Sequence, residues 1–205
     1  MLPGASKDAL RQSILEQRRA LSGAEWAAED AAHTLHLVTA LGGTPSTVAL
    51  YASRPGEPGT QAAITRLHDA GWAVLLPRLG RTPDWALFDG WERMRRGWAG
   101  IPEPTTPGLG ADALAGAQVV IVACLAVARD GPRVGTGGGW YDRALPRRDV
   151  GARVWALART VELRGWVPSE RHDIPVDGVI TADGMFACGE ATLPGIGKPW
   201  PPELS

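Results

Sequence analysis

Between Ser6 and about Leu21 the apolar positions Leu10, Ile14, Leu15 and Leu21 fall near helical spacing, which predicts a first helix. Lys7, Arg11, Arg18 and Arg19 form a basic set along it, and Lys7 and Arg11, four residues apart, share one face. Like charges at that interval repel unless an anion sits between them, so the pair is either a solvated basic face or one wall of an anion site. Ser22 and Glu25 have capping-box spacing and open a second helix through Ala27, Ala31, Leu35 and Val38, which Gly42-Gly43 ends. The period then changes. Thr47–Tyr51 reads as a short buried strand, Thr60–Ala70 as a helix closed by Gly71, and Ala73–Pro77 as a second strand. Further strands are predicted at Trp85–Phe88, Val119–Leu125, Arg153–Ala158 and Val179–Thr181, while Gly100–Gly110, rich in Pro and Gly, reads as loop. Strands alternating with helices imply an α/β class: one three-layer α/β/α domain around a mostly parallel central sheet.

Composition narrows the classes. A chain of 205 residues with 44% hydrophobic and 21% charged positions suits one globular domain rather than a disordered chain. That domain is expected to span residues 1–193, with a proline-rich tail at 194–205 carrying Pro199, Pro201 and Pro202. A net charge of −1 gives no basic excess for nucleic acid. Two cysteines, Cys124 and Cys188, with no CxxC pair indicate neither a disulfide framework nor a zinc site. The N-terminal stretch lacks a signal pattern and no apolar run reaches membrane-spanning length, so a cytoplasmic protein with no membrane partner is expected.

The 26 glycines are unevenly placed. Val119–Ala128 is apolar throughout and reads as a buried strand; it leads into Arg129–Gly139, in which five of the nine residues from Gly131 to Gly139 are glycine. Trp140–Leu145 then reads as a helix start. A strand running through glycines into a helix leaves amides free to face an anion and lets phosphate oxygens approach with no Cβ in the way. Arg133 would add a forked cation and Asp142 a carboxylate suited to Mg²⁺. Neither common phosphate motif fits: Gly197-Lys198 is followed by Pro199 rather than Ser or Thr, and a GxGxxG pattern begun at Gly135 meets Trp140 where its last glycine belongs. Composition alone is served equally by a structural turn and an anion cradle.

Gly135-Thr-Gly-Gly-Gly-Trp-Tyr-Asp-Arg143 resembles the glycine-rich signature of the 5-formyltetrahydrofolate cyclo-ligases, also called methenyltetrahydrofolate synthetases. Other stretches agree in order: the Lys7…Arg11 pair, Tyr51-Ala-Ser-Arg-Pro-Gly-Glu57…Thr60, Gly100-Ile-Pro-Glu-Pro104, and Pro168–Thr181. The resemblance spans residues 6 to 185. It implies ATP contacts from Lys7, Arg11, Arg133, Val134, Gly135, Thr136, Gly137, Gly138, Gly139, Trp140 and Tyr141, with Lys7 and Arg133 as the catalytic cations. It also implies folate contacts from Ala52 and Glu57, and Mg²⁺ on Asp142 and Asp177. Trp98, beside Gly100-Ile101-Pro102, either stacks on a folate ring or packs at the rim. The remaining bland roles are a turn acid for Glu57 or Asp177, a first-turn carboxylate for Asp142 and a structural hydrogen bonder for His172.

The implied reaction is ATP-driven closure of 5-formyltetrahydrofolate to 5,10-methenyltetrahydrofolate, with ADP and phosphate released by a monomer. The chain departs from the family pattern at Ala123-Cys124, where Pro-Gly is usual, and at Val127-Ala128, where Phe-Asp is usual; Asp130 lies two residues beyond the missing carboxylate. Thr136 and Trp140 stand at positions often held by Tyr. Two other readings follow. One is a protein that binds nucleotide or folate without turnover, and the other is an enzyme of the same layered fold acting on a sugar phosphate or coenzyme A ester.

Overall fold

The computed structural model describes residues 6–189, 198 and 200. Ser6 caps α1 (Lys7–Arg19) by accepting from the Ala9 amide. Ser22 and Glu25 form the reciprocal capping box of α2 (Gly23–Leu41), a device that contributes about 1 kcal/mol. There follow β1 (Thr47–Ala49), α3 (Gln61–Asp69), β2 (Ala73–Arg78), β3 (Asp84–Leu87), β4 (Met94–Arg96), β5 (Pro102–Pro104), β6 (Val119–Ala123), β7 (Ala126–Ala128) and β8 (Arg133–Val134). The chain continues through α4 (Trp140–Ala144), β9 (Arg153–Leu157), β10 (Leu163–Arg164), β11 (Gly178–Thr181) and β12 (Gly184–Ala187).

Seven strands form the central sheet in the order β12-β11-β9-β6-β1-β2-β3. The inner five run parallel, and β12 and β3 close the edges antiparallel. Strand alternation sends Val48, Val74, Ile121 and Leu157 to one face, where Leu37 of α2 and Ile64 and Leu67 of α3 cover them. Burying each of these large side chains is worth about 1.5–3 kcal/mol. Ala49, Leu75, Val120, Val122 and Ala156 point the other way, onto Leu114, Ala144 and Leu145. That second layer consists of 3-10 turns and α4 rather than long helices.

The apolar run at 119–128 is not one strand. β6 leaves the central sheet at Ala123, and β7 pairs with β8 and β10 in a separate three-stranded sheet. Both halves are buried, so their sequence carries no polar break. Leu10 and Ile14 of α1 pack on this small sheet through Leu125, Ala126, Ala128 and Val134. The 100–110 interval also holds a strand, because β5 pairs with β4 in a two-stranded ribbon that tolerates Pro102 and Pro104.

A domain boundary at residue 193 lies outside the described residues. Of the tail, Lys198 bridges to Phe186 of β12 and the Trp200 ring lies 6.3 Å from that of Phe186. No helix among the described residues is long and apolar enough to cross a membrane.

Candidate functional site

β1 has β2 on one side and β6 on the other, so the chain changes winding direction there. In a parallel sheet such a switch opens a crevice at the carboxyl ends of the strands. A cavity of about 1210 Å³ opens at that place, lined by Tyr51 and Ala52 beyond β1, Pro77 and Leu79 of β2 and its exit, and Ala123 and Cys124 at the end of β6. Lys7, Arg11, Glu57, Trp98, every residue from Arg133 to Tyr141, and Asp142 line it as well. Asp177 does not: its Oδ2 accepts from the Val154 amide at 2.7 Å, which makes it a cap where β9 and β11 meet. Asp130, exposed, is also absent from the lining, and Ala128 is packed in the apolar cluster beneath α1.

The glycine-rich stretch has the geometry of a cradle. Gly137 and Gly139 have φ of 104° and 59°, the left-handed region that favours glycine. Arg11 donates from Nε to the Gly135 carbonyl at 2.9 Å, and a Cβ on Gly137 would sit 3.6 Å from Arg11 Cζ. Among the described residues none accepts a hydrogen bond from the amides of Gly135 to Gly139. Those donors are therefore available to an anion. α4 beyond them has five residues, so the cradle rests on the loop amides and the neighbouring cations rather than on a long helix dipole.

Arg133 is 7% exposed, and its guanidinium spans two partners at the cavity wall: Asp142 Oδ1 at 2.8 Å and the Ile174 carbonyl. The Ile174 amide returns a bond to Asp142 Oδ1 at 3.3 Å, which brings the 170–174 segment against the cradle. Glu57 is held by its own turn, accepting from the Arg54 amide at 3.2 Å and from Arg54 Nε at 3.0 Å. Trp98 is 70% exposed at the rim and follows the β4 strand, next to Ala99 at φ 52°. Trp140 packs edge-on against Trp85, with ring centroids 5.1 Å apart. Burial pushes the Tyr141 hydroxyl up, and it raises the Cys124 thiol to about 12, so neither group ionises near neutral pH.

Two carboxylates of the lining, Glu170 and Asp173, carry no role in the sequence-based expectations. Lys7 is not a solvated cation: Nζ reaches Glu170 Oε1 at 2.9 Å and Asp173 Oδ2 at 2.7 Å, and both carboxylates line the cavity. Arg18, placed by its sequence among the projecting basic residues, is 3% exposed and paired with Glu162. Its signal was present, since Leu10, Ile14 and Arg18 repeat every four residues on the buried face. His172 is exposed and 3.8 Å from both Glu170 and Asp173.

Burial alone would raise Asp173. Lys7 and the Glu170 amide outweigh it, leaving the carboxyl below its ordinary range. Burial alone would lower Lys7, and the two carboxylates outweigh it, so the ammonium is raised. The tie between α1 and the 170–173 segment is therefore complete at neutral pH. It is lost as pH falls through the depressed Asp173 value, and separately as pH rises above the usual lysine range. Hydrogen-exchange protection of α1 is expected to be lower at about pH 2 than at about pH 5, because Asp173 keeps its charge until pH falls below the ordinary aspartate range. Equal protection factors at the two pH values would contradict this.

The family model for 5-formyltetrahydrofolate cyclo-ligases matches residues 3–182. A 5-formyltetrahydrofolate cyclo-ligase of Mycolicibacterium smegmatis is 34% identical over 183 residues, covering 86% of this chain and 93% of that one. Among solved structures, a 5,10-methenyltetrahydrofolate synthetase of Aquifex aeolicus superposes with a TM-score of 0.74 at 23% identity, covering 91% of this chain and 94% of that one. One of Mycoplasma pneumoniae gives 0.69 at 21% identity, with 87% and 99% covered. The chain belongs to the 5-formyltetrahydrofolate cyclo-ligase family and, by that membership, is a ligase.

Proposed function

We propose that the cavity binds ATP and 5-formyltetrahydrofolate together and closes the folate to 5,10-methenyltetrahydrofolate, releasing ADP and phosphate, in a protein that works as a cytoplasmic monomer. The observation that carries this reading is convergence. Lys7 and Arg11 from α1, the amides of Gly135–Gly139, Ala52 and Glu57 beyond β1, and Trp98 all face one cavity, although they come from distant parts of the chain.

A formamide carbonyl is a poor electrophile, and ring closure must expel its oxygen. Transfer of the γ-phosphoryl group to that oxygen makes it a leaving group, and N10 then attacks the activated carbon. No protein nucleophile is needed, so the work of the chain is positioning and charge neutralisation. The loop amides and Arg11 cradle the phosphates, Lys7 and Arg133 offset the charge that develops on transfer, and Glu57 accepts hydrogen bonds from the folate head or amide. Trp98 closes over the ring from the rim.

Of the two carboxylates assigned to Mg²⁺ by the resemblance, Asp142 lines the cavity and offers hard oxygen ligands; among the described residues no group of three or more His, Cys, Asp or Glu side chains could hold the ion by protein ligands alone. Mg²⁺ is commonly held by one or two carboxylates plus substrate phosphates, and when bound it would neutralise phosphate charge. Asp177, occupied at the β9–β11 junction, does not suit that role.

The test is appearance of the methenyl chromophore from 5-formyltetrahydrofolate, with and without ATP and Mg²⁺. ATP-dependent product is expected. Calorimetric binding of both ligands without product would instead identify a silent binder, and binding of neither would sink both readings. Glu57→Gln is expected to raise the folate KM about tenfold with the ATP KM unchanged, the loss of one charged hydrogen bond. Unchanged folate affinity and turnover would remove Glu57 from the site.

A further inference from the structure

Arg18 lines the cavity without offering it a free charge. Nε reaches Glu162 Oε1 at 2.6 Å, and Nη2 reaches Glu162 Oε2 at 2.7 Å and the Cys124 carbonyl at 2.9 Å. Nη1 reaches the Gly56 carbonyl at 3.2 Å. Four of the five guanidinium N–H groups are thus engaged. The Glu162 side chain is fully buried and cancels the charge, which leaves Arg18 poorly suited to phosphate.

Its three partners belong to three different parts of the cavity. Cys124 is the floor, where the chain passes from β6 to β7. Glu162 ends the 3-10 turn before β10. Gly56, at φ 84°, is the tip of the turn that carries Glu57. That turn is already stiff at its base: Thr60 Oγ1 donates to the Tyr51 carbonyl at 2.6 Å, and the Gly59 amide donates to Asp30 at 2.6 Å. Arg18 supplies the tie from its tip to the floor.

We propose that Arg18 is a positioning residue for the folate side of the cavity, fixing the height of Glu57 above the floor by bridging Gly56 and Cys124 while Glu162 holds the fork in plane. This rests on the assignment of Glu57 to folate. A planar fork can hold three acceptors at fixed angles, whereas a lysine ammonium is a compact point charge on a flexible stem. Stability alone does not account for the arrangement, because a buried ion pair contributes little net stability relative to packed apolar side chains.

The experiment uses Arg18→Lys, which keeps a cation beside Glu162 but not the fork. The folate KM is expected to rise about tenfold, while the ATP KM and kcat stay within about threefold. Because Arg18 acts through the turn, Arg18→Lys combined with Glu57→Gln should weaken folate little more than Glu57→Gln alone. Should Arg18→Lys fold poorly, the neutral pair Arg18→Gln with Glu162→Gln is assayed in its place, with the same expectations. An unchanged folate KM, equal rises for folate and ATP, or additive losses in the combined variant would each overturn the proposal. If Glu57→Gln weakens folate and Arg18→Lys does not, only the role of Arg18 falls. If Glu57→Gln has no effect, the folate assignment falls and this proposal with it.

Discussion

Arg133→Ala is expected to lower kcat/KM by about 10²–10³-fold, close to the 3–4 kcal/mol lost when one preorganised donor is removed from a charged transition state. The size follows from what the guanidinium does at once. It places a cation on the cavity wall, it holds Asp142 at 2.8 Å, and it bonds the Ile174 carbonyl. Alanine leaves the Asp142 carboxylate without its cation and the 173–174 segment without its anchor. Both changes fall on the phosphate side, so ATP affinity should suffer more than folate affinity. Arg133→Lys is expected to recover part of the ATP affinity through charge, but not the two-partner geometry. Comparable losses for ATP and folate with Arg133→Ala would contradict the assignment.

What the sequence disclosed and what it concealed divide along chain distance. The capping box at Ser22 and Glu25, the inner strands and the helix at Gln61–Asp69 follow from neighbours within a few residues, and they are present with ends shifted by one or two positions. The small β10-β7-β8 sheet was invisible because β6 and β7 are both buried, and an apolar run has no mark for a change of sheet. β5 was hidden by its prolines, which read as loop although an edge ribbon accepts them.

The site divides in the same way. Glycine spacing marked the loop, and the family pattern named Lys7, Arg11 and Glu57, which line the same cavity, because each lies inside a short recognisable string. Glu170, Asp173 and Glu162 pair with Lys7 and Arg18 across 163, 166 and 144 residues, and no local pattern announces such partners. Asp177 shows the opposite error. Its local context matched, but the fold uses the carboxylate to close a strand junction.

Glu162→Ala is expected to destabilise the protein by about 3–5 kcal/mol, because removing one member of a buried pair leaves the other charge uncompensated. Glu162 is fully buried and Arg18 is 3% exposed, so water cannot readily take over. The same carboxylate also accepts from the Arg159 amide at 2.9 Å, a bond that closes the 3-10 turn before β10. For a chain of this length the loss corresponds to a fall in Tm of about 10 °C. The neutral pair Arg18→Gln with Glu162→Gln should restore most of that stability, since no charge is then left stranded. If the fork serves the site rather than the fold, its folate KM stays high although its Tm recovers. A Tm loss below about 2 °C for Glu162→Ala would show that the two charges are not coupled in the folded protein, since about 1 kcal/mol shifts Tm by roughly 2–4 °C at this size.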